Sequence, residues 1–418
     1  MNFLPIILMV VALLCFVLAV LFIMKYKKTR TTRYIVLFFI LLVLGIGIGL
    51  TGIRYTIPIR ISQDVDDKLN TSGNDAPIIF TRDGNLYSVR LDGAAPVPLT
   101  NTGYNRVTYY LPQEAKLLFI RSKGASDVTG DVMSIDFATG QQTILLPASL
   151  LGSTGFLGFV NAALTPGDSK LITTEGNEAA GGGLLHTASP DGKNFSSSIT
   201  GNIPAGWYAF NPNGTGLAFE NHHTDVRATL LYNLVWDKTP VPLITSTDND
   251  DNALQAGDFA WRPDGRAITF FGYTHLPMGG QKNAIYEVTT GGSVTSLYPT
   301  PGKWISGLHW LSANRLAFIA MPNNPNGGPG PNDTGTADYY VFNVPTGKLS
   351  LLMSSTYSQG EPQWSWNPNR TAFVFQKEWQ GSLWVKELST GAEKEIAGTE
   401  GVYPYRFTWG SDPFSGRH

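Results

Sequence analysis

From Ala76 onward the chain repeats one motif, and that repetition limits the fold more than any other feature. Each copy has an aromatic or apolar residue, a turn built on proline with Asn, Asp or Gly, an apolar strand, and a further strand ending in a tight turn. Trp261-Arg-Pro-Asp-Gly-Arg-Ala-Ile-Thr-Phe-Phe271 leads to Ala284-Ile-Tyr-Glu-Val-Thr-Thr-Gly291. Phe210-Asn-Pro-Asn-Gly-Thr-Gly-Leu-Ala-Phe219 leads to Leu230–Leu234, and Trp366-Asn-Pro-Asn-Arg-Thr-Ala-Phe-Val-Phe375 leads to Leu383–Gly391. Weaker copies open at Tyr110, Leu164 and Trp310. The aligned turn positions Pro112, Pro166, Pro212, Pro263, Ser312 and Pro368 are 54, 46, 51, 49 and 56 residues apart. A period near ~40–50 residues with four strands per unit is that of a propeller blade. Proline presets φ at the first turn position, Asn or Asp tolerates the second, and Gly takes the left-handed one. Thr139-Gly140, Thr290-Gly291, Thr346-Gly347 and Thr390-Gly391 mark a bulged hairpin between third and fourth strands.

The two ends of the repeat region complement each other. Ile78–Gly93, followed by Pro98–Thr100, is a unit without its opening strand, and Tyr405–Pro413 is an opening strand with nothing after it. Joined, they make one blade and close a ring without a free end. With the six internal units this predicts an all-β, seven-bladed β-propeller over 76–413. The degenerate unit at 164–190 leaves six or eight blades open.

These residues resemble the TolB-type, WD40-like propeller repeat, seen also in the propellers of tricorn and dipeptidyl-peptidase proteins. The resemblance covers about residues 76–413 and implies the architecture, not an activity. TolB-family proteins carry a small α/β domain ahead of the propeller and are soluble and periplasmic. Here two apolar runs stand in that place, so that family's partners are not carried over.

Phe3–Met24 and Tyr34–Ile53 are uncharged runs, each matching the ~20 residues a helix needs to cross a bilayer. Between them, Lys25–Arg33 holds five positive charges and no negative one, which places that loop in the cytoplasm. A cleaved signal peptide would need a basic leading region and a small-residue cleavage site, and neither is present. The expectation is a transmembrane hairpin over 1–60 with helices at about 3–24 and 34–53, a polar tether over 61–75, and the propeller outside the cytoplasmic membrane of a bacterium.

Seven of the 30 basic residues lie in 1–60, leaving 23 against 32 acidic ones, a net −9 for 61–418. That balance repels phosphate backbones and excludes nucleic acid. Cys15 is the only cysteine and lies in the first apolar run, so the folded part has neither disulfides nor thiol chemistry.

No residue set reads as an active site. Propeller peptidases keep their nucleophile in a separate hydrolase domain, and no G-x-S-x-G occurs. Of His186, His222, His223, His275, His309 and His418, only His222-His223 are clustered, in an expected loop over 221–227 that reads as solvated. His309 reads as a hydrogen-bonded core residue. Asp248–Asn252 has alternating oxygen donors like a calcium loop, but Ala253 stands where Gly is needed and Phe259 where Glu is needed. Asp64, Asp66 and Asp67 have less support still, and Ser189–Lys193 has the wrong spacing for a sialidase box.

The long Pro/Gly/Asn insertion Pro322–Asp338 and the loop Tyr273–Asn283 are the best candidates for partner contact. The expected function is therefore a non-catalytic, membrane-anchored interaction or scaffold module, possessing no cofactor and no metal. Its expected partners are one or more proteins at or in the membrane and the lipid bilayer through 3–24 and 34–53. A propeller enzyme and a carbohydrate- or peptide-binding sensor are the alternatives.

Overall fold

The computed structural model describes residues 76–410 apart from 102, 112–115, 125–128, 138, 152–157, 168, 177–182, 197, 202, 224–227, 245–253, 274–282, 323–333, 359–361, 379 and 403–406. The chain divides into two units, Met1–Val65 and Asp66–His418, and the second is described here. The expected spans 3–24 and 34–53, the tether and the 248–252 loop lie outside the described residues. Among the described residues no helix is long and apolar enough to cross a membrane.

The second unit is almost entirely antiparallel sheet. Strands β1 (Ile78–Arg82), β2 (Asn85–Val89) and β3 (Val97–Pro98) come first, followed by β4 (Tyr104–Leu111), β5 (Lys116–Ser122), β6 (Gly130–Asp136) and β7 (Gln142–Leu146). Next are β8 (Phe159–Leu164), β9 (Leu171–Glu175) and β10 (Leu185–Ala188). Three sheets of four follow: β11 (Tyr208–Phe210), β12 (Gly216–His223), β13 (Ala228–Val235), β14 (Val241–Ile244); β15 (Gln255–Trp261), β16 (Ala267–Tyr273), β17 (Ala284–Thr289), β18 (Val294–Pro299); β19 (Lys303–Ser312), β20 (Arg315–Pro322), β21 (Thr334–Asn343), β22 (Lys348–Ser358). The last sheet is β23 (Trp364–Trp366), β24 (Ala372–Gln376), β25 (Leu383–Glu387) and β26 (Glu393–Glu395), and β27 (Phe407–Thr408) ends the series.

β27 does not start a new sheet. It pairs with β1 through Ile79↔Thr408 and Phe80↔Phe407, giving the order β27-β1-β2-β3. The indole of Trp409 donates to the Ala76 carbonyl at 2.9 Å across 333 residues of chain. The complementary ends thus share one sheet, as the sequence predicts.

Successive strand units are tied in sequence. Arg106 on β4 donates to the Val160 carbonyl on β8, and the Tyr208 hydroxyl to the Ile172 carbonyl at 3.3 Å. The Trp261 indole donates to Ala209 O at 3.0 Å, the Leu308 amide to Asp258 Oδ2 at 3.0 Å, and the Trp364 indole to Gly307 O at 3.0 Å. The Trp409 amide donates to Ser365 Oγ at 3.0 Å, and Asn105 Nδ2 to Gly84 O at 3.0 Å, which returns to the first sheet. Between sheets the core is layered. Alternation along β1 sends Ile79 with Leu86 against Tyr110, Leu117 and Phe119, and Ile78 with Phe80 against Val374, Leu383 and Trp409; successive strand residues face opposite ways, so each sheet serves two layers. This arrangement is that of a β-propeller.

The proline turns form as read. Asn211, Arg262 and Asn367 each donate their amide to the residue five positions on, at 2.9, 2.9 and 3.0 Å. The left-handed position is Gly214 (φ 67°) or Gly265 (φ 67°), and Arg370 takes it at φ 55°. Of the hairpin glycines, Gly140, Gly347 and Gly391 are left-handed, whereas in the fifth copy Gly292, not Gly291, takes that role.

The degenerate unit is irregular. Among the described residues β8, β9 and β10 have no regular fourth strand; isolated bridges Thr187↔Ser196 and Gly183↔Ala205 stand in its place. A single pair, Gly130↔Phe159, joins β6 to β8 and merges this unit with the preceding one into a seven-stranded sheet. A methyl group on Gly158 would lie 2.8 Å from the Gly130 nitrogen, so glycine is what permits the approach.

Two loop expectations are corrected. His222 and His223 lie on strand β12, registered with Thr229 and Ala228, because the β12–β13 hairpin continues until only 224–227 remain to turn it. The insertion is shorter than Pro322–Asp338, because β21 begins at Thr334 and pairs with β22 from Thr334↔Ser358 onward. Burial of Ala337, Tyr339 and Tyr357 stabilises this extension.

Candidate interaction face

In an antiparallel four-stranded unit the turn between strands two and three lies at the end where strand one begins. The opposite end carries the proline turns and the short hairpins. The described chain is asymmetric in this respect. Strand-two-to-three connections run from the tight turn 83–84 through 123–129, 176–184 and 274–283 to 323–333, while the proline turns at the other end stay short. Variation in loop length is concentrated on one face. The candidate contact loops 274–282 and 323–333 both belong to it, on neighbouring sheets, and themselves lie outside the described residues.

The side chains beneath that face follow a rule of their own. In five units an aromatic residue of strand two is registered with one of strand three: Phe80↔Tyr87, Phe219↔Tyr232, Phe270↔Tyr286, Phe318↔Tyr340 and Phe375↔Trp384, while the β5–β6 unit pairs Phe119↔Met133. Phe80/Tyr87, Phe219/Tyr232 and Phe270/Tyr286 stack with centroids 5.5, 5.1 and 5.6 Å apart. Such cross-strand ring pairs are the unit of sheet stabilisation.

Two residues further along, on the same side, three units place a cation over these rings. Arg82 lies 4.5 Å from the Tyr87 centroid, Arg121 lies 5.4 Å from Phe119, and the Lys377 ammonium lies 3.6 Å from Trp384. These three cations are held over aromatic faces and also bonded: Arg82 to Gly398 O at 2.7 Å, Arg121 to Asn105 Oδ1 at 3.1 Å and to Gln142, Lys377 to Glu393 at 3.0 Å. Burial pulls the Arg121 pKa below its ordinary value, and Asp131 opposes that pull. In the fourth-strand hairpin, burial alone would raise Glu393, but hydrogen bonds from Lys377 and Lys386 outweigh it and hold the carboxyl below its usual range.

The degenerate unit obeys the same rule with different chemistry. Its registered pair is Thr173↔His186, and the residue above is Glu175. His186 Nε2 lies 3.1 Å from Glu175 Oε2, with both side chains under a tenth exposed at 7% and 8%. Glu175 Oε1 also accepts from the Leu184 amide at 3.3 Å, and the imidazole stacks on Phe195 at 5.2 Å. His186 therefore fills an aromatic position, and Glu175 caps it as a cation caps a phenyl or indole elsewhere. Reading single residues missed this pair; aligning strand two of the units would have exposed it.

The remaining polar candidates serve structure. His309 is buried in the core, as expected, and stacks on Trp366 at 5.5 Å and 8°. Asp258 joins two sheets through Leu308. Ser189–Lys193 is a turn, closed by Ser189 N to Lys193 O at 2.8 Å and by a 2.7 Å Asp191–Lys193 ion pair. His275 and His418 lie outside the described residues. Among the described residues no three His, Cys, Asp or Glu side chains converge on one point.

No family model matches the sequence, and no curated protein matches it. Solved structures do match in fold. Tricorn protease aligns at TM-score 0.53 and 10% identity over 78% of this chain, which spans only about a third (34%) of that protein. An oligogalacturonate lyase solved with manganese aligns at TM-score 0.53 and 15% identity over 77% of this chain and 84% of the other. TolB from Acinetobacter baumannii aligns at TM-score 0.45 and 12% identity over 80% and 66%. At such identities the likeness to the first two extends to the β-propeller fold and no further.

Proposed function

We propose that this chain is a membrane-anchored, non-catalytic interaction module whose long-loop face binds a protein partner. The seven-stranded sheet counts as two blades joined at Gly130–Phe159, which makes seven blades in all. The hairpin of apolar segments 3–24 and 34–53, with its basic loop in the cytoplasm, sets the propeller outside the cytoplasmic membrane of a bacterium.

The observation that carries this reading is the use to which the buried and half-buried polar groups are put. Glu175 and His186 complete a ring stack, Asp258 pins two sheets, and Arg82, Arg121 and Lys377 cover aromatic rings. Chemistry needs groups that converge and turn toward a substrate; these turn toward the scaffold. What varies between units is loop length on one face, as in folds that bind through loops on a rigid frame.

The test is purification of the full chain from gently solubilised membranes, beside a variant whose 274–282 and 323–333 segments are replaced by short Gly-Ser turns. A stoichiometric protein accompanies the parent and leaves with the loops. A parent chain recovered alone overturns the proposal.

A further inference from the structure

The outermost strand of a propeller sheet presents unpaired backbone groups to its surroundings, and such edges invite pairing with other chains. Most outer strands here are blunted. β3 is two residues ending in Pro98, β14 contains Pro242, β18 ends at Pro299, and β26 is Glu-Lys-Glu. β7 is five residues closed by Pro147. β22 differs from all of these. It is 11 residues long, and from Leu349 to Ser358 it contains neither a charge nor a proline.

β22 pairs with β21 on one side, from Asn343↔Lys348 to Thr334↔Ser358, and no described strand lies on the other. Met353, Ser355 and Tyr357 are turned into the structure, while Ser350, Ser354 and Thr356 are exposed and Leu351 is 56% exposed. Long outer strands in natural sheets usually carry a lysine, proline or bulge to prevent edge pairing. The one bulge here, opposite Tyr339/Tyr340, leaves the stretch from Met353 onward regular.

We propose that the outer edge of β22 pairs antiparallel with β22 of a second copy of this chain, so that one sheet runs through both. The strand is its own complement. An antiparallel two-fold pairing over 350–358 sets Ser354 against the Ser354 of the second copy at the axis, because opposed residues must lie on the same face of the shared sheet, and brings no charge opposite a like charge. The Lys348 residues fall at opposite ends, outside the paired stretch. Small hydroxyl side chains such as Ser350, Ser354 and Thr356 tolerate one another across a strand pair and can hydrogen-bond there. A two-fold contact of one patch with itself is the commonest way identical chains associate. An edge of this length buries less than a standard interface, so the pairing is weak in dilute solution. Two chains sharing a membrane, if the proposed anchoring holds, meet at a much higher effective concentration.

The test is oxidative cross-linking of the full chain in native membranes, on a Cys15→Ser background. Ser354→Cys lies at the two-fold axis and is expected to give a product of twice 45.5 kDa. Ser350→Cys lies about 20 Å or more from its mate at ~3.3 Å per residue, beyond disulfide reach, and stays uncross-linked. Thr295→Cys on the blunted strand β18 also stays uncross-linked. Leu351→Lys, added to Ser354→Cys, removes most of the product by placing a lysine on each edge. Protease resistance of each variant reports that it folds, and Thr356→Cys with a longer bis-maleimide linker gives the same dimer independently of position 354. The proposal is overturned by folded variants that give no dimer at 354 or with the linker at 356. Equal yield at 295, indifference to Leu351→Lys, or cross-linking to a chain of another mass overturns it as well.

Discussion

Replacing Glu175 by alanine distinguishes a structural from a chemical reading of the one buried acid–imidazole pair described. Both side chains are under a tenth exposed, and the carboxylate accepts from His186 and from the Leu184 amide. Its removal leaves a buried imidazole without that partner, and breaking such a pair from one side costs about 3–5 kcal/mol. The 3.3 Å amide contact is long, so we expect about 3 kcal/mol, a little over a hundredfold in the opening equilibrium. Five other units hold an aromatic ring where His186 stands, and the β5–β6 unit holds Met133. Glu175→Ala combined with His186→Phe therefore rebuilds the common arrangement over Phe195, and an apolar replacement of both partners is nearly neutral. The cycle should show about 2–3 kcal/mol of coupling. Hydrogen exchange of β9 and β10 amides in the detergent-solubilised full chain measures the local opening directly. A cost under ~1 kcal/mol for Glu175→Ala, or a double variant equal to the sum of its singles, would refute the structural role.

Three further outcomes follow from the same geometry. Burial pushes the phenols of Tyr110, Tyr208 and Tyr339 above the ordinary range; a raised folded pKa means stability present below the unfolded value near 10 and lost above it, so ultraviolet titration should show these rings ionising only as the fold opens. Glu393 is held below its ordinary 4.5, so its contribution is present above that value and fades as acid protonates it; exchange at β25 and β26 should quicken there, and Glu393→Gln should remove the pH-dependent part. Gly265 and Gly347 share φ 67°, yet a methyl group on Gly265 would lie 2.4 Å from Asn213 Nδ2 whereas Gly347 is open; Gly347→Ala should cost about 1 kcal/mol for the left-handed backbone alone, and Gly265→Ala clearly more, measured by urea unfolding.

What the sequence made legible was set by local rules. Pro-Asn/Asp-Gly turns and period-two strands repeat because each unit must solve the same packing problem, so the β-propeller reading and the pairing of Phe407–Thr408 with β1 could be stated from residues alone. The errors came where pairing overrides composition. Thr334–Asp338 reads as a polar loop, yet it is strand because β22 offers it a partner, and His222-His223 extends a hairpin for the same reason. The Glu175–His186 pair was hidden because its meaning is comparative. A histidine becomes structural only when seen in the place that Tyr87, Tyr232 and Tyr286 occupy in other units.

Closure of the ring is tested most directly by a disulfide between Ile79→Cys and Thr408→Cys on the Cys15→Ser background. Registered antiparallel partners hold their Cα atoms about 4.5–5.5 Å apart, within disulfide range, although 329 positions separate the two in sequence. Mild oxidation should join them within one chain, giving a faster-migrating band that reductant reverses, while Ile79→Cys with Ser389→Cys, on a turn of the neighbouring sheet, should not. A folded Ile79→Cys/Thr408→Cys protein that stays reduced would mean the two ends of the repeat do not share a sheet.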